Sequence, residues 1–387
     1  MSYTSARDGV DVLLPGIVGG TGGASGLMLE LATRLTTRGL RVKIVVPDYN
    51  TTRVFVENCR AHGVAAECTP WLLPRESRLV RLADVARFLH KYRAPIVHYH
   101  LSDNVPNHLA LHAMDVLRPS RAFVTLHSPS DEPSPGTRMA RRWAAAAPRH
   151  FHKVICVSER ARRLQVAYGL PNTLVQRIAN GVDLAQIALG DAARARRVLG
   201  VDADVPIVTV IARVAPQKRP LDAIASFAAV ASEFPGALLV FIGSGPLEDE
   251  VRKAAAEAGL GQRVRLLGQR TDIADWLAAT TVWLLPTETE GFSVAVIEAL
   301  AAGCAIVSTD CAGNDEVLDN GVNAVVVPVG DIIAISGALR RLLSDAALRA
   351  RLGDAARRTA EAYSLDGMVD AHMACYAAYR PGLGNSS

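Results

Sequence analysis

Long apolar runs are missing from this 387-residue chain. Half of its residues are hydrophobic, yet stretches such as 237–242 fall far short of the roughly 20 residues that cross a bilayer. Aromatic residues are scarce, at 5%, and are not interleaved with the basic ones as they are on a nucleic-acid surface, so no nucleic acid is expected as a partner. The six cysteines (59, 68, 156, 304, 311 and 375) form no C-x-x-C pair, which argues against a zinc ribbon or a disulfide framework and for reduced thiols. The opening MSYTSARDGVDVLLPG has neither a basic n-region nor an apolar h-region, so a cytoplasmic protein is expected. No cluster of aspartates suggests a metal centre.

What is present is alternation. Apolar runs suited to strands recur at 10–16, 41–47, 94–100, 121–127 and 153–159, with helical patterns at 27–37, 77–92 and 107–117 among them. After NGVDL (180–184) and a loosely patterned stretch, the alternation restarts at 205–213 and continues through 237–243, 264–268, 282–285, 305–310 and 323–329. Helices are expected at 221–234 and 248–259, with an Ala/Arg-rich helical tail. Strands alternating with helices at this spacing build parallel sheets covered on both faces. The expected fold is therefore α/β with two doubly wound, Rossmann-like domains. We place one over 1–182 and the other over 183–365, with the 366–387 tail packing back on the first.

Charge divides along the same line. Residues 1–180 hold 24 Lys+Arg against 13 Asp+Glu, a net of +11, whereas 181–387 hold 18 against 25, a net of −7. Such asymmetry points the first domain toward an acidic partner, either a phosphate-bearing substrate or an anionic membrane. The 77–92 helix sharpens the point, since Arg78, Arg81, Arg87, Lys91 and the adjoining Arg93 oppose Leu79, Leu82, Val85, Phe88 and Leu89. A solvated face is the plainer reading of the same pattern.

The stretch VWLLPTETEGFSVAVIEALAAG (282–303) reads as a buried strand, a polar turn and a helix that is apolar on every side except at Glu298. The turn offers backbone N–H groups at Phe292, Ser293 and Val294, an anion site of the kind found at helix N-termini. Phosphate at the helix mouth with Glu298 on ribose hydroxyls is one reading; a capped helix with Glu298 paired to an arginine is the other. In such sheets ligands sit beyond the carboxyl ends of the strands. There the second half places Arg213 and Lys218 five residues apart with no acid close by in sequence, then Gly243 and Gly245, then Glu290. The first half places Gly22 and Gly23, His98 and His100, and His127. His98 with His100, and His108 with His112, could each share a face, so a zinc site is conceivable, although their spacing matches no ordered ligand set.

Taken together, EGFSVAVIE followed by ALAAG, RVAPQK (213–218), GSGPL (243–247), NGVD (180–183), and GG (22–23) upstream of LA (31–32) resemble the retaining nucleotide-sugar glycosyltransferases of family 4. The resemblance runs from about 10 to 365. It departs from the family pattern at TTVWLLP, where an Ala-Asp usually stands, and at CAGNDE (311–316), where a Gly-Gly pair usually begins. It implies the GT-B architecture, two domains facing a cleft. It also implies a nucleoside-diphosphate sugar donor (UDP first, GDP next) and a small-molecule, glycan or phosphate-bearing acceptor, with no cofactor and no metal. The implied catalytic residues are Arg213 and Lys218 on the departing diphosphate, Glu290 on the transferred sugar, and His127 facing that sugar. The donor-binding set would be Gly22, Gly23, Gly243, Gly245, Arg270 at the edge of the base, Phe292, Ser293, Val294, and Glu298 on the ribose.

Two alternatives stand beside this one. A sugar-nucleotide epimerase or binding protein could use the same architecture. A nicotinamide-dependent oxidoreductase is suggested by GGTGGASG after a strand, but Ser25 occupies the place of the third glycine in G-x-G-x-x-G.

Overall fold

Every described strand in the chain is parallel to its neighbours, and the reason is visible in composition. LLVFI, and IVTVI apart from Thr209, are apolar at successive positions because both faces of their sheet are covered. The computed structural model describes residues 9–17, 23–72, 83–84, 87–88, 90–92, 94–101, 122–127 and 136–379. These fall into two compact units, one formed by residues 1–180 and 365–387 and the other by Gly181–Ser364.

The first unit holds seven strands: β1 (Val12–Ile17), β2 (Val42–Pro47), β3 (Ala65–Thr69), β4 (Ile96–Leu101), β5 (Ala122–Leu126), β6 (Phe151–Cys156) and β7 (Val175–Arg177). They lie in the order β3-β2-β1-β4-β5-β6-β7, so the winding reverses between β1 and β4. Trp143, Phe151, Val124 and Leu126 form part of the core on one flank. The helix Leu365–Tyr379, last in sequence, belongs to this unit. Asp366 and Asp370 pair with Arg34 of the Gly23–Thr37 helix and with Arg38 just past its end, and Tyr376 is fully buried. That first helix begins at Gly23, four residues earlier than its apolar pattern suggests: GASG (23–26) supplies its first turn, with Ser25 buried.

The second unit holds six strands: β8 (Ile207–Ile211), β9 (Leu238–Ile242), β10 (Val264–Leu266), β11 (Val282–Leu285), β12 (Ile306–Thr309) and β13 (Val325–Val327). Their order is β10-β9-β8-β11-β12-β13, with the reversal between β8 and β11. Val208, Val210, Phe227, Phe241, Ile335 and Leu339 are buried together beneath this sheet. Val182 bridges to Ser364, so the two ends of the unit lie side by side. The helix expected over 221–234 is shorter, Pro220–Ala228, and the chain finishes that stretch in turns.

Among the described residues no helix is long and apolar enough to cross a membrane. Of the basic helix at 77–92, only scattered residues are described. There Arg87 pairs with Asp84, and Lys91 meets Glu67 of β3 at 2.8 Å. The described part of that positive face therefore has more acid opposite it than the sequence suggested; Arg78, Arg81 and Arg93 lie outside the described residues.

Candidate active site

Ligands of open parallel sheets bind where the winding reverses, because the loops leaving the two strands there diverge to opposite faces and open a crevice. In the second unit those loops follow β8 and β11. They are tied together: the Glu288 N–H donates to the Gln217 carbonyl at 2.8 Å, and the Thr287 hydroxyl donates to the same oxygen at 3.1 Å. At this junction Lys218 Nζ sits 2.5 Å from Glu290 Oε1, with the side chains only 15% and 8% exposed. The sequence showed no acid near Lys218; folding supplies one from 72 residues away. Arg213, by contrast, is exposed, and among the described residues it has no ion-pair partner. The structure thus brings Lys218 and Glu290 into contact and leaves Arg213 at the end of the same strand as an uncommitted cation.

Gly243 and Gly245 serve that loop directly. A Cβ on Gly243 would lie 2.1 Å from the Ala212 carbonyl oxygen, and one on Gly245 would lie 2.2 Å from that of Val214. Gly243 also has φ +131°, a conformation other residues rarely adopt. The close approach these glycines permit is to the chain's own backbone, where Val214 N–H donates to the Ser244 carbonyl. Their first effect is therefore to hold Arg213 in place.

The helix after β11 is Val294–Ala302, with Ser293 as its extended N-cap residue. The Ser293 side chain makes no capping bond, so no hydroxyl from this residue meets the first-turn N–H groups. Phe292 is buried against the Tyr363 ring at 5.5 Å between centroids and anchors the turn. Glu298 is half-buried, as are Val294, Ala295 and Ala302 on the same side. This corrects the reading of a helix buried all round. Val296, Ile297, Ala299 and Leu300 are buried, while Glu298 lies on the half-buried side of the helix. Gly313, within CAGNDE, has φ +94°, and a Cβ there would meet the Glu290 carbonyl oxygen at 2.3 Å. The Glu290 N–H also donates to the Ala312 carbonyl. Only one glycine of the missing pair is needed for this fit, and it is present. Gly313 and Gln217 could not be picked out from sequence as supports of the Glu290 loop, since both act through backbone atoms.

Arg270 forms a two-pronged pair with Asp272, at 2.9 and 2.6 Å, and its guanidinium lies 5.6 Å from the Trp276 ring centroid. A cleft of about 380 Å³ opens at the carboxyl ends of β12 and β13, lined by Asp310, Asn314, Asp315 and Asn320 among others. Asn314 and Asp315 come from CAGNDE, and none of the candidate catalytic or donor-binding residues lines it.

In the first unit Gly22 lies outside the described residues, as do His108 and His112, while Gly23 opens its helix at an exposed position. His98 and His100 do share a face of β4, with ring centroids 4.4 Å apart. His98 is hydrogen-bonded to the Tyr376 hydroxyl at 2.6 Å and to Thr125 at 2.7 Å. His100 Nδ1 lies 2.9 Å from His127 Nε2, just beyond β5. His372, from the last helix, completes a buried histidine cluster. Burial holds His98 and His100 well below the usual imidazole range and pushes His127 and His372 down to about 4. Among the described residues no three His, Cys, Asp or Glu side chains are arranged to hold a metal ion. His372 and Tyr376 could not be connected to this site from sequence, for they follow it by more than 240 residues.

Comparison with known proteins fits this geometry. Residues 191–359 match the family described as glycosyl transferases group 1, and residues 21–186 match glycosyltransferase family 4. The D-inositol 3-phosphate glycosyltransferase of Kribbella flavida is 26% identical, over 91% of this chain and 86% of its own. The N-acetyl-alpha-D-glucosaminyl L-malate synthase of Bacillus anthracis is 27% identical over 49% of each. Among solved structures, Anabaena HepE in complex with UDP superposes with a TM-score of 0.79 at 19% identity, covering 95% of this chain and all of that one. A glycosyltransferase from Rickettsia africae superposes with a TM-score of 0.81 at 17% identity, covering 96% and 99%. The two sheet-based units have the GT-B architecture of these structures.

Proposed function

Given that the chain belongs to the family 4 glycosyltransferases and is a glycosyl transferase, we propose that it moves a sugar from a nucleoside-diphosphate sugar, with UDP as the first candidate and GDP the second, and retains the anomeric configuration. One observation carries the reading: the switch point of the second unit gathers Arg213, Lys218 and a helix mouth that its own N-cap side chain leaves uncapped. Breaking a glycosyl–phosphate bond puts negative charge on the diphosphate, and cations and N–H donors already in position lower that barrier without reorganising. Arg213, exposed and uncommitted, clamps the diphosphate. Lys218 is held by Glu290 and exchanges part of that contact for the phosphate, which frees Glu290 to accept from sugar hydroxyls. Glu298, on the half-buried side of its helix, receives the ribose hydroxyls. Arg270, braced by Asp272, borders the base. His127 is the first unit's hydrogen-bonding group for carbohydrate.

The UDP bound in the HepE structure supports uridine as the first nucleotide to test. The named substrates of the curated relatives make a small polyol or carboxylic acid, with or without phosphate, the acceptor class to try. A membrane-surface acceptor draws less support, because the described cations Arg87 and Lys91 already have carboxylate partners. The test is incubation with UDP-glucose, UDP-GlcNAc and GDP-mannose against such acceptors, with proton NMR of the product's anomeric centre. Net transfer with the α-configuration kept is expected. An inverted product would refute the retaining mechanism, and an isomerised donor without transfer would make the protein an epimerase.

A further inference from the structure

Lys218 and Glu290 stand on two different loops, and a buried threonine lies between the backbones of those loops. Thr287 Oγ1 is 3.1 Å from the Gln217 carbonyl oxygen and 3.1 Å from that of Thr289. Gln217 directly precedes Lys218, and Thr289 directly precedes Glu290. Each carbonyl therefore belongs to the peptide unit that leads into one partner of the ion pair. The hydroxyl has one proton, and two acceptors at equal distance share it as a three-centre bond. Without that proton the Thr289 oxygen has no donor among the described residues, and the Glu288 N–H to Gln217 is the backbone tie that remains. The Lys218 N–H donates to the Ala215 carbonyl at 2.9 Å, so the Gln217–Lys218 peptide is pinned at its oxygen and at its hydrogen. Thr287 is itself fixed from behind, because the Thr309 hydroxyl at the end of β12 donates to the Thr287 carbonyl at 2.5 Å. Both threonines are fully buried, so bulk water does not stand in for either hydroxyl.

We infer that Thr287 is a positioning residue: its hydroxyl sets the spacing of the backbones that carry Lys218 and Glu290, and with it the reach of both side chains toward the donor. The effect on turnover rests on the proposed reading of the site; the spacing does not. In that reading Lys218 meets the diphosphate and Glu290 the sugar, on either side of the bond that breaks. A point charge on a flexible four-carbon stem is placed by the backbone beneath it and by its partner, here Glu290 at 2.5 Å. Displacing such a group by about 1 Å is enough to cost a large factor in rate.

The test compares two pairs that differ in the hydroxyl. Wild type and Thr287→Val share the branched shape, and Thr287→Ser and Thr287→Ala both lack the methyl group. UDP release from UDP-glucose is followed beside thermal denaturation of the full chain. In each pair, loss of the hydroxyl should lower kcat roughly 10–100-fold, the scale for a displaced catalytic group. Donor KM should change by less than about threefold, as expected when the lost interaction belongs to the transition state. Thr287→Ser should keep most of the wild-type rate. In a Lys218→Ala background the same loss should cost at least about threefold less than in the wild type, because one of the two groups it positions is gone. Lys218→Ala should also lower the melting temperature less in Thr287→Val than in the wild type, since the Lys218–Glu290 contact is already loosened. That comparison needs no donor. Where Thr287→Val does not fold, the serine and alanine variants carry the same comparison. Additive melting shifts for Thr287 and Lys218, or unchanged kcat in an active enzyme without the hydroxyl, overturn the inference. If the wild type releases no UDP while the melting shifts are non-additive, the reading of the donor fails and the positioning stands.

Discussion

At the scale of single residues, Arg213 and Lys218 separate two roles that the sequence could not tell apart. Arg213 is exposed and uncommitted, so Arg213→Ala should cut turnover by roughly 10²–10³, the scale for removing one charge stabiliser, with the melting temperature unchanged. Lys218→Ala should lose a similar factor and also destabilise the fold by on the order of 2 kcal/mol, because Glu290 is left buried without its partner. Thermal denaturation beside steady-state kinetics checks both, and an Arg213 variant with full turnover removes it from the diphosphate. Glu298→Gln keeps the shape of this half-buried side chain, so it should raise donor KM more than it lowers stability. Lowered stability at constant KM would make Glu298 a structural ion-pair partner instead. The chemistry-bearing residue types of the second unit were legible because strand ends and a polar turn before an apolar helix have local signatures. The Lys218–Glu290 contact was not, because an ion pair spanning 72 residues has none.

Among the elements, the glycines act on the loops that carry these side chains. Gly245→Ala drives a methyl group into the Val214 carbonyl, and Gly243→Ala does the same at Ala212 with an unfavourable φ added. Both should lower the melting temperature and raise donor KM together, because the backbone that must yield is the one holding Arg213. A variant that melts earlier yet binds donor normally would show that the loop tolerates the shift. The strands themselves were readable from sequence because burial on both faces leaves only apolar runs between turns. The start of the first helix was misplaced for the opposite reason: GASG has poor intrinsic propensity, and tertiary packing around Ser25 and Leu27 overrides it. The buried histidine cluster was half legible. H-x-H puts two rings on one face of a strand, but their partners His372 and Tyr376 arrive on a helix from the far end of the chain.

For the molecule as a whole, the two units should respond differently to acid. Histidine is absent from 181–364, so all ten belong to the first unit. His127 and His372 have folded pKa values of about 4, below the unfolded value near 6.5. Between those limits the unfolded chain binds more protons than the folded one. Stability from these groups is therefore complete above about pH 6.5 and is lost as pH falls toward 4. Hydrogen exchange across that window should show the first unit opening before the second; simultaneous opening would contradict the neutral buried cluster.

The central claim is that the second unit binds the diphosphate of a nucleotide sugar through Arg213, Lys218 and the mouth of the Val294–Ala302 helix. Calorimetric titration of UDP, GDP, ADP and TDP into the wild type and an Arg213→Ala/Lys218→Ala double variant tests it most directly. Saturable binding of one of the four to the wild type is expected, weakened at least 100-fold in the variant. Equal affinity in the two proteins, or no binding of any of the four to the wild type, would contradict it.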